Sequence, residues 1–474
     1  MSSNYNISTN RKIECDTVVI GGGVAGCAAA ISSARGGAKT ILVEAGGTLG
    51  GQAGIGLVTP LSSTSSKSGE RFGGLTDEII KEVIALTKKY VFSNEEGNRG
   101  YPVSPHILKY VFLKKCMEYG VDVHFHSMLC DAETRNGKVD SVIIKDKSGF
   151  LQISAKSFID ASGDADLILL SGDDNTLGSE KDVFEQLVEN QLDINHSNNA
   201  KDDKYEDEHL MQPVSLFFVM RGVDVKKASE LNNKKLVFGD LGITKERFNS
   251  WEFAGTTGFQ IVSENIPTPQ NRVLVTLGRH QDEAVVNMSR ILNINGGNAE
   301  ELSRGEAQAQ LQLIAIVDFL KTFIPGFENA YLVETSSRLG IRESYRLRGR
   351  YVLSGSELIN GASFEDTVCR GYYIVDIHDP RGRHGAIGGH LKKDYFEVPY
   401  RSLCSNKFTN LLACGRCISV DHVAHSATRI QGTCILTGQA AGCAAALAVK
   451  TNTDVCDVDT NLLTQQLKKD GMII

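Results

Sequence analysis

The chain has few prolines, few cysteines and no excess of basic residues. Its 474 residues include 9 prolines, a single tryptophan and 11 cysteines. Cysteines this sparse exclude a small disulfide-stapled scaffold and favour a reducing compartment, so we expect a cytoplasmic protein. The formal charge is -7, from 57 acidic and 50 basic residues. This balance argues against a nucleic-acid-binding protein, which carries a basic face.

Long apolar runs and a basic leader sequence are also missing. Residues 1–11 are polar, and no stretch reaches the roughly 18 consecutive apolar residues of a membrane span. The longest candidate, residues 440–449, is rich in alanine and favours a buried helix. We therefore predict no targeting segment and no membrane span. The length of the chain predicts two or three domains.

Glycine is abundant, with 47 residues, above the roughly 7% of an average protein. The first cluster, Gly21-x-Gly23-x-x-Gly26, lies between an apolar strand at 17–20 and an alanine-rich helix. Such a turn lets the backbone approach a pyrophosphate and places it at a helix N-terminus, where free N–H groups favour negative charge. A second strand ends at Glu44, which can accept hydrogen bonds from both hydroxyls of a ribose. The unit therefore predicts dinucleotide binding.

The rest of the chain alternates between helix and strand patterns without an internal repeat. Apolar spacing predicts helices at 75–89, 106–119, 307–322 and 433–449. Strands are expected at 157–160 and 410–413, and in a three-stranded meander of 121–126, 139–145 and 150–153. The predicted divisions are the first part of a nucleotide-binding domain at 1–172, an acidic insertion at 173–208, a substrate domain at 209–394, and the second part of the first domain at 395–474.

The segment 173–208 differs in composition from the rest. Twelve acidic residues and three lysines give it a charge of -9, which exceeds the -7 of the whole chain. A run of this kind is typical of a solvated surface insertion. The acidity of the protein therefore says nothing about its substrate.

Five short motifs, at both ends and in the middle of the chain, resemble one family. They are the glycine turn together with 46–52 (GGTLGGQ), 159–164 (IDASGD), 413–416 (ACGR) and 431–442 (QGTCILTGQAAG). Together they are similar to the FAD-dependent oxidoreductases of the glutathione-reductase-like superfamily, in particular to a group distantly related to fumarate reductase flavoproteins. Two features depart from that pattern, since Ser162 replaces the usual threonine and the acidic segment has no counterpart.

The resemblance implies an α/β protein with FAD as its cofactor. Its Rossmann-type FAD-binding domain would be discontinuous and would adjoin a second, α+β substrate domain. The helix near Gly432 would direct its N-terminus at the flavin pyrimidine, where its dipole stabilises the reduced form by roughly 0.3–2 kcal/mol. The residues expected to contact FAD are Gly21, Gly23, Val24, Ala25, Gly26, Glu44, Ala45, Gly50, Gly51, Gln52, Leu129, Ala161, Gly163, Asp164, Gly415, Arg416, Gly432, Thr437 and Gly438.

An arginine-rich stretch, with five arginines in the 13 residues 338–350, supplies a second group of candidates. An arginine fork binds a carboxylate through two hydrogen bonds, so Arg342 and Arg346 are candidates for holding a carboxylate substrate or a flavin phosphate. The alternative is an ion-pair network with Glu343. The stretch also resembles an Arg-Glu and Arg-x-x-Gly stretch of the same family.

Histidines supply candidates for proton transfer. His378 lies between two aspartates, and a histidine in that setting can act as acid or base near neutral pH. The alternative is a structural histidine bound to a turn. His422 and His425 lie between two of the FAD motifs and could face the flavin ring. His384 and His390 flank a glycine-rich loop that could form a lid or hold the flavin covalently.

These features predict an FAD-dependent oxidoreductase that transfers a hydride between flavin N5 and a small polar organic substrate, which the arginines allow to carry a carboxylate. Two alternatives stay open: a flavoprotein whose FAD is structural or regulatory, and a thiol-disulfide flavoenzyme that uses Cys414 and Cys417. Buried small residues are the simpler account of this Cys-x-x-Cys, and no second such pair completes a zinc site, so no metal is expected. The expected partners are the substrate and an unidentified electron acceptor, and a homo-oligomer is the default for an enzyme of this size.

Overall fold

Strands and helices alternate along the residues that the structure, a computed structural model, describes: 11–58, 72–90, 104–180, 209–229, 247–253, 256–262, 268, 272–277, 282–382 and 386–474. The strands are β1 (Arg11–Ile20), β2 (Thr40–Val43), β3 (Asp122–His124), β4 (Met128–Arg135), β5 (Lys138–Asp146), β6 (Gly149–Asp160), β7 (Asn175–Leu177), β8 (Phe218–Arg221), β9 (Arg247–Phe253), β10 (Thr256–Val262), β11 (Arg272–Leu277), β12 (Ala284–Val286), β13 (Tyr331–Thr335), β14 (Tyr345–Leu347), β15 (Thr367–Gly371), β16 (Val375–His378), β17 (Ala386–Gly389), β18 (Phe396–Pro399) and β19 (Leu411–Ala413). The helices are α1 (Val24–Arg35), α2 (Gly51–Gly54), α3 (Gly74–Tyr90), α4 (Pro105–Glu118), α5 (Asp166–Ser171), α6 (Val225–Ser229), α7 (Ala299–Phe323), α8 (Gly355–Asn360), α9 (His422–Thr428), α10 (Gln431–Thr451) and α11 (Thr460–Lys469).

A seven-stranded sheet carries the glycine turn. Its parallel part has the order β3-β2-β1-β6, and β19 pairs in parallel with β6. Val19 is fully buried and pairs with Leu42 on one side and Ile159 on the other. Strands buried on both faces are typical of parallel sheets covered by helices. The protein is therefore a mixed α/β fold with a Rossmann-like parallel core, as the β1-α1-β2 pattern predicts.

The predicted three-stranded meander is wrong in its first member. Residues 121–126 contain β3, which pairs in parallel with β2 at the edge of the sheet. The strand that pairs with β5 is β4, which the sequence does not reveal because it is largely polar and exposed. The predicted strands at 150–153 and 157–160 form one continuous strand, β6.

Helices α1 and α10 pack closely against each other. A Cβ at Gly438 would lie 2.1 Å from the carbonyl oxygen of Ala25, and one at Gly442 would lie 2.0 Å from that of Ala29. Glycine at these positions allows the two backbones to approach. Helix α10 is also long and apolar enough to cross a membrane, with a mean hydropathy of 1.4 in its best window. However, 89% of that window is buried inside the structure, as expected for a core helix.

A second, antiparallel sheet follows the first. Its order is β13-β8-β12-β11-β10-β9, and the buried side of α7 shares an apolar cluster with β8, β11 and β12. Helix α7 begins eight residues before its predicted start, because the side chain of Asn298 accepts hydrogen bonds from the N–H groups of residues 300 and 301. The mixture of strands and helices expected at 213–333 is present, and the domain boundaries stay predictions. Residues 181–208 of the acidic insertion and His384 lie outside the described residues.

Candidate active site

The glycine turn after β1 is built for close backbone approach. Gly21 has a φ of +99°, which side chains rarely adopt, and a Cβ at Gly26 would lie 1.8 Å from the Gly21 carbonyl oxygen. A Cβ at Gly23, by contrast, would meet no described atom within 4 Å. Gly23 is also the N-cap of α1, where no side chain caps the helix. The predicted contacts Val24 and Ala25 therefore lie in the first turn of a helix that no side chain caps.

Glu44 lies where a ribose is expected, and it also stabilises the glycine turn. Its Oε2 accepts a hydrogen bond from Gly22 N at 2.7 Å, and its Oε1 accepts one from Gly46 N at 2.6 Å. The side chain is buried, whereas Ala45 beside it is exposed. Each carboxylate oxygen keeps a second acceptor site, so the ribose contact stays a prediction.

The loop that leads into α2 lies against the glycine turn. Gly50 N donates to Gly22 O at 2.8 Å, and a Cβ at Gly51 would lie 2.9 Å from the Cα of Gly23. Gln52 Nε2 donates to Leu339 O at 2.8 Å, which joins this loop to the arginine-rich stretch. The other amide atom, Gln52 Oε1, is buried and has no hydrogen-bond partner within the described ranges.

The motif at 159–164 is joined to the motif at 413–416 by an ion pair. Asp164 Oδ1 lies 2.9 Å from Arg416 Nη2 and accepts a hydrogen bond from Ser344 Oγ at 2.5 Å. Gly163 has a φ of +87°, and a Cβ at this position would lie 2.8 Å from Nη2 of the same Arg416 guanidinium. Two other predicted contacts lie apart from this pair: Ala161 packs against the glycine turn, and Leu129 packs against the apolar cluster that contains Val18.

Three of the remaining predicted FAD contacts, Gly415, Thr437 and Gly438, have packing roles. Gly415 N donates to Thr437 Oγ1 at 3.0 Å, and a Cβ at Gly415 would lie 2.7 Å from the Cβ of Ala25. Gly438 faces Ala25 as well. Gly432 alone among these lies in the first turn of α10, whose N-cap makes no side-chain hydrogen bond.

These features fit a bound dinucleotide. Buried helix ends normally find partners for their free N–H groups, yet neither α1 nor α10 has a side-chain cap. Near the start of α10, Gln431 Oε1 and Thr433 Oγ1 are buried and lack hydrogen-bond partners among the described residues. The amide of Gln431 donates to Val58 O at 2.8 Å, which places this helix end beside the loop after α2. The pyrophosphate and carbonyl oxygens of FAD are acceptors that would satisfy such N–H groups.

Arg342 is a buried cation with neutral partners. It is 8% exposed, and its Nη1 donates to a backbone carbonyl and to Ser215 Oγ, the latter at 2.8 Å. Among the residues that the structure describes, its hydrogen bonds all go to neutral acceptors. Burial and the charges of Arg290 and Arg429 lower the pKa of Arg342 far below its ordinary range, although Asp376 opposes them. A role for Arg342 in holding an anionic ligand stays a prediction.

Arg346, in contrast, is paired with protein carboxylates. It is 0% exposed, with Nη1 at 2.6 Å from Glu343 and Nη2 at 2.8 Å from Glu180. Glu343 also accepts a hydrogen bond at 2.7 Å from Nδ1 of His422, the first residue of α9. This geometry favours the ion-pair alternative for Arg346 over a substrate contact.

The network fixes the charges of its members. Burial raises the pKa of Glu343, but the nearby His422 and Arg346 lower it by more, so this carboxyl stays ionised. Burial lowers the pKa of His422, but the charge and hydrogen bond of Glu343 raise it above its ordinary value. The group is thus a buried set of opposite charges, and it holds the start of α9 in place.

Three donors surround one oxygen of Asp376. Its Oδ2 lies 3.4 Å from Tyr373 Oη, 3.7 Å from His378 Nε2 and 3.7 Å from Arg429 Nη2. The Asp376 side chain is 22% exposed and that of His378 is 12% exposed, so both are accessible to a small molecule. The charge of Asp376, followed by burial, raises the pKa of Tyr373, which keeps its hydroxyl protonated.

Gln212 connects this cluster to the charge network. Its Oε1 accepts a hydrogen bond from His378 N at 3.0 Å, and its own N–H donates to Glu343 at 3.4 Å. His425, one turn along α9, is 1% exposed, and its Nε2 lies 3.2 Å from Arg416 O. Its Nδ1 has no hydrogen-bond partner in the described part of the chain. Burial lowers the pKa of His425 far below its ordinary value, so the ring is neutral.

The cysteine pair is buried and poorly suited to thiol chemistry. Cys414 and Cys417 are both 0% exposed. Cys417 Sγ donates to Asp160 O and to Cys414 O, each at 3.4 Å. Burial and the charge of Asp160 raise the pKa of both thiols, whereas thiol nucleophiles need a lowered pKa. Within the described ranges, no group of three or more His, Cys, Asp and Glu side chains could hold a metal ion.

Comparison with known proteins identifies the family. A model of the FAD dependent oxidoreductase family matches residues 16–467, nearly the whole chain. The chain belongs to this family. FAD is accordingly its cofactor, and this FAD-dependent oxidoreductase has the nucleotide-binding fold that the glycine turn predicts. A search of curated proteins finds no match.

Solved structures resemble this oxidoreductase at low identity. A geranylgeranyl bacteriochlorophyll reductase-like protein from Thermoplasma acidophilum shares 14% identity and a TM-score of 0.41, over 97% of this chain and 83% of that one. A myxobacterial chondrochloren halogenase shares 12% identity and a TM-score of 0.42, over 96% and 78%. The flavin-dependent brominase Bmp2 shares 12% identity and a TM-score of 0.43, over 96% and 83%. Likenesses this weak carry no argument about the reaction of this chain.

Several polar residues of the oxidoreductase site have no motif in the sequence. Ser215, Arg290 and Gln212 come from the region around the second sheet, and they reach the arginine stretch only through the fold. Tyr373 and Arg429 flank predicted candidates, and their proximity to His378 and His425 in the sequence is the one signal that could have found them.

Proposed function

We propose that this protein transfers a hydride between N5 of FAD and a small polar organic substrate that carries a carboxylate. The observation that supports it is the grouping of Tyr373, His378 and Arg429 around one carboxylate oxygen of Asp376. Asp376 and His378 lie on β16, which packs against α9, and Arg429 lies two residues before the start of α10. An acid–base group is thus close to the helix end that the family resemblance assigns to the flavin pyrimidine.

The residues would divide the work as follows. The glycine turn at 21–26, Glu44 and the first turn of α10 would hold FAD, which supplies a hydride acceptor or donor. Asp376 and His378 would accept or return the proton that accompanies hydride transfer, since both are partly accessible and their side chains lie 3.7 Å apart. Tyr373 would donate a hydrogen bond to the Asp376 carboxylate, and the positive charge of Arg429 would stabilise it. The N–H groups at the start of α10 would stabilise negative charge on a reduced flavin by roughly 0.3–2 kcal/mol.

The finer architecture belongs to the same proposal. We assign a glutathione-reductase-like, discontinuous FAD domain, distantly related to fumarate reductase flavoproteins, because β19 returns to pair in parallel with β6. The second sheet would be the substrate domain, a separate molecule would be the electron acceptor, and the enzyme would act in the cytoplasm as a homo-oligomer.

Anaerobic flavin reduction tests the proposal. The FAD-loaded protein is mixed with a panel of small hydroxy and amino carboxylic acids, and bleaching of the flavin bands is followed by stopped flow. We expect at least one acid to reduce the flavin, and Asp376→Asn to slow that step by about 10²-fold or more. Asp318→Asn, an exposed residue on α7, is the matched control. A flavin that no donor reduces and no acceptor reoxidises would instead support the structural or regulatory alternative.

A further inference from the structure

One hydrogen bond fixes the orientation of the side chain of Gln431, the first residue of α10. Its Nε2 donates to Val58 O at 2.8 Å. Because a backbone carbonyl can only accept, the amide nitrogen must be the atom at Val58, and Oε1 is left for another donor. Oε1 is buried and has no hydrogen-bond partner within the described part of the chain. Since buried polar atoms are normally paired, this oxygen is expected to meet a donor on a ligand.

The same helix end offers donors beside this acceptor. No side chain caps α10 at Ile430, and the first N–H groups of a helix have no partner inside it. Thr433, in the same first turn, is 0% exposed, and its Oγ1 also lacks a partner among the described residues. The start of α10 thus presents backbone donors and one side-chain acceptor, Gln431 Oε1, within a single turn.

Two parts of the expected flavin site are joined to this helix end. Val58 N donates to Gln52 O at 3.0 Å, so Gln431 is linked through Val58 to the loop that lies against the glycine turn. Arg429 Nη2 donates to Asp376 O at 3.1 Å, which links the residues before α10 to the cluster around that aspartate. Gln431 is accordingly connected both to the dinucleotide loop and to the groups proposed to move a proton.

The hydrogen-bonding groups of FAD differ along the molecule. Its phosphates carry only acceptors, so they cannot satisfy Gln431 Oε1. The pyrimidine edge of the flavin ring carries one donor, N3–H, between two carbonyl acceptors. Backbone N–H groups beside one acceptor oxygen match that edge. The adenine also has a donor next to an acceptor, but its ribose is expected at Glu44, at the end of β2.

We propose that the side chain of Gln431 binds the flavin pyrimidine, with Oε1 accepting the hydrogen bond of N3–H while Nε2 stays on Val58 O. The contact rests on the proposed function, because it uses the placement of the flavin at the start of α10. It adds a side-chain contact to the one expected at Gly432. Since N3–H is present in oxidised and in reduced FAD, Gln431 holds the ring in both redox states.

Binding of FAD and of N3-methyl-FAD to the cofactor-free protein tests this contact without turnover. Methylation removes the N3–H donor, so the parent should bind the analogue about tenfold or more weakly than FAD. Gln431→Ala should bind the two cofactors alike, because the acceptor is gone and alanine leaves room for the methyl group. Loss of the bond to Val58 affects both cofactors and cancels in the comparison. Gln465→Ala, an exposed glutamine on α11, is the control and should discriminate as the parent does.

Equal discrimination in the parent and in Gln431→Ala would refute the contact, because the methyl group would then clash with another part of the site. Should Gln431→Ala lose FAD altogether, Gln431→Glu keeps an acceptor oxygen and Gln431→Met keeps only the volume. Discrimination is expected in the first and not in the second, and equal behaviour would count against the proposal. Heteronuclear NMR of the parent loaded with isotopically labelled FAD adds a check without variants. The N3–H proton should be protected from exchange with water, and rapid exchange would overturn the contact.

The outcomes also separate this contact from the proposed function. If discrimination depends on Gln431 but no donor reduces the flavin, the contact stands and the proposed hydride transfer fails. If a small acid reduces the flavin and discrimination does not depend on Gln431, the contact fails and the hydride transfer stands.

Discussion

Gly26 lies so close to Gly21 that a Cβ at position 26 would fall 1.8 Å from the Gly21 carbonyl oxygen. Gly23, between them in the same turn, points at open space. Two glycines of one motif are thus required for different physical reasons. Gly26 allows the helix to approach the strand, whereas we expect Gly23 to leave room for the ligand.

This difference predicts opposite behaviour for two alanine substitutions. Gly26→Ala should lower the free energy of unfolding of the FAD-free protein by about 1–3 kcal/mol or more, because backbone atoms must shift. Gly23→Ala should leave that stability nearly unchanged, since its φ of -66° suits alanine, but should weaken FAD binding. Urea unfolding and FAD titration by fluorescence quenching measure the two quantities. Equal loss of stability in both variants would contradict the assignment.

Arg346→Met should be strongly destabilising. Removing this cation leaves the buried Glu343 with His422 as its charged partner and removes the ion pair of the partly exposed Glu180, and breaking a buried ion pair costs about 3–5 kcal/mol. Arg348→Met is the matched control, because Arg348 is exposed and only two residues away, so its change should stay within about 0.5 kcal/mol. The comparison is made by chemical unfolding, and similar curves for both variants would show that the network contributes little.

The stabilisation from His422 should depend on pH in a defined direction. Its pKa in the folded protein is raised above the ordinary 6.5 by Glu343, after allowance for burial. The contribution is therefore complete below pH 6.5 and is lost as the pH rises through the folded pKa. The pKa of Glu343 is lowered, so this carboxyl stays ionised across that range. The stability difference between the parent and His422→Gln should shrink from pH 6 to pH 9, and a difference that grows would contradict the pair.

Replacing both cysteines of the Cys-x-x-Cys should leave the protein functional. Cys414 and Cys417 are buried, and their thiols have raised pKa values, so neither is a competent nucleophile. The Cys414→Ser/Cys417→Ser protein should bind FAD and be reduced by the same donors as the parent. Serine buries a more polar group, so the double alanine variant serves as a second check. Loss of flavin reduction in both variants, with FAD still bound, would revive the thiol-disulfide alternative.

The parts of the fold that depend on local pattern were predictable from the sequence. Patterns of adjacent residues predict the glycine turn, Glu44 at the end of a strand, and the buried helix at the end of the FAD motifs. The structure has each of these elements at the predicted place in the chain. Strand β4 was missed because its exposed polar residues carry no strand signal. Helix α7 was predicted too short because its start is set by the Asn298 cap rather than by apolar spacing.

The candidate site was less predictable, because its polar contacts join distant residues. Arg342 and Arg346 look alike in the sequence, and only the fold shows that one faces a serine and the other two carboxylates. Ser215 and Arg290 lie 75 positions apart and meet because their neighbours Val214 and Ile291 form an antiparallel bridge. No periodicity or spacing rule encodes a contact of that kind.

The packing of α1 against α10 also sets the order in which the protein matures. Roughly 400 residues separate the two helices, and a ribosome adding about 5–20 residues per second needs on the order of 20–80 s to make them. During that time the alanine-rich side of α1 has no partner, and β6 has no β19 beside it. A nascent chain thus exposes part of an unfinished nucleotide fold until α10 has been made. We therefore expect FAD to bind only after α10 has left the ribosome.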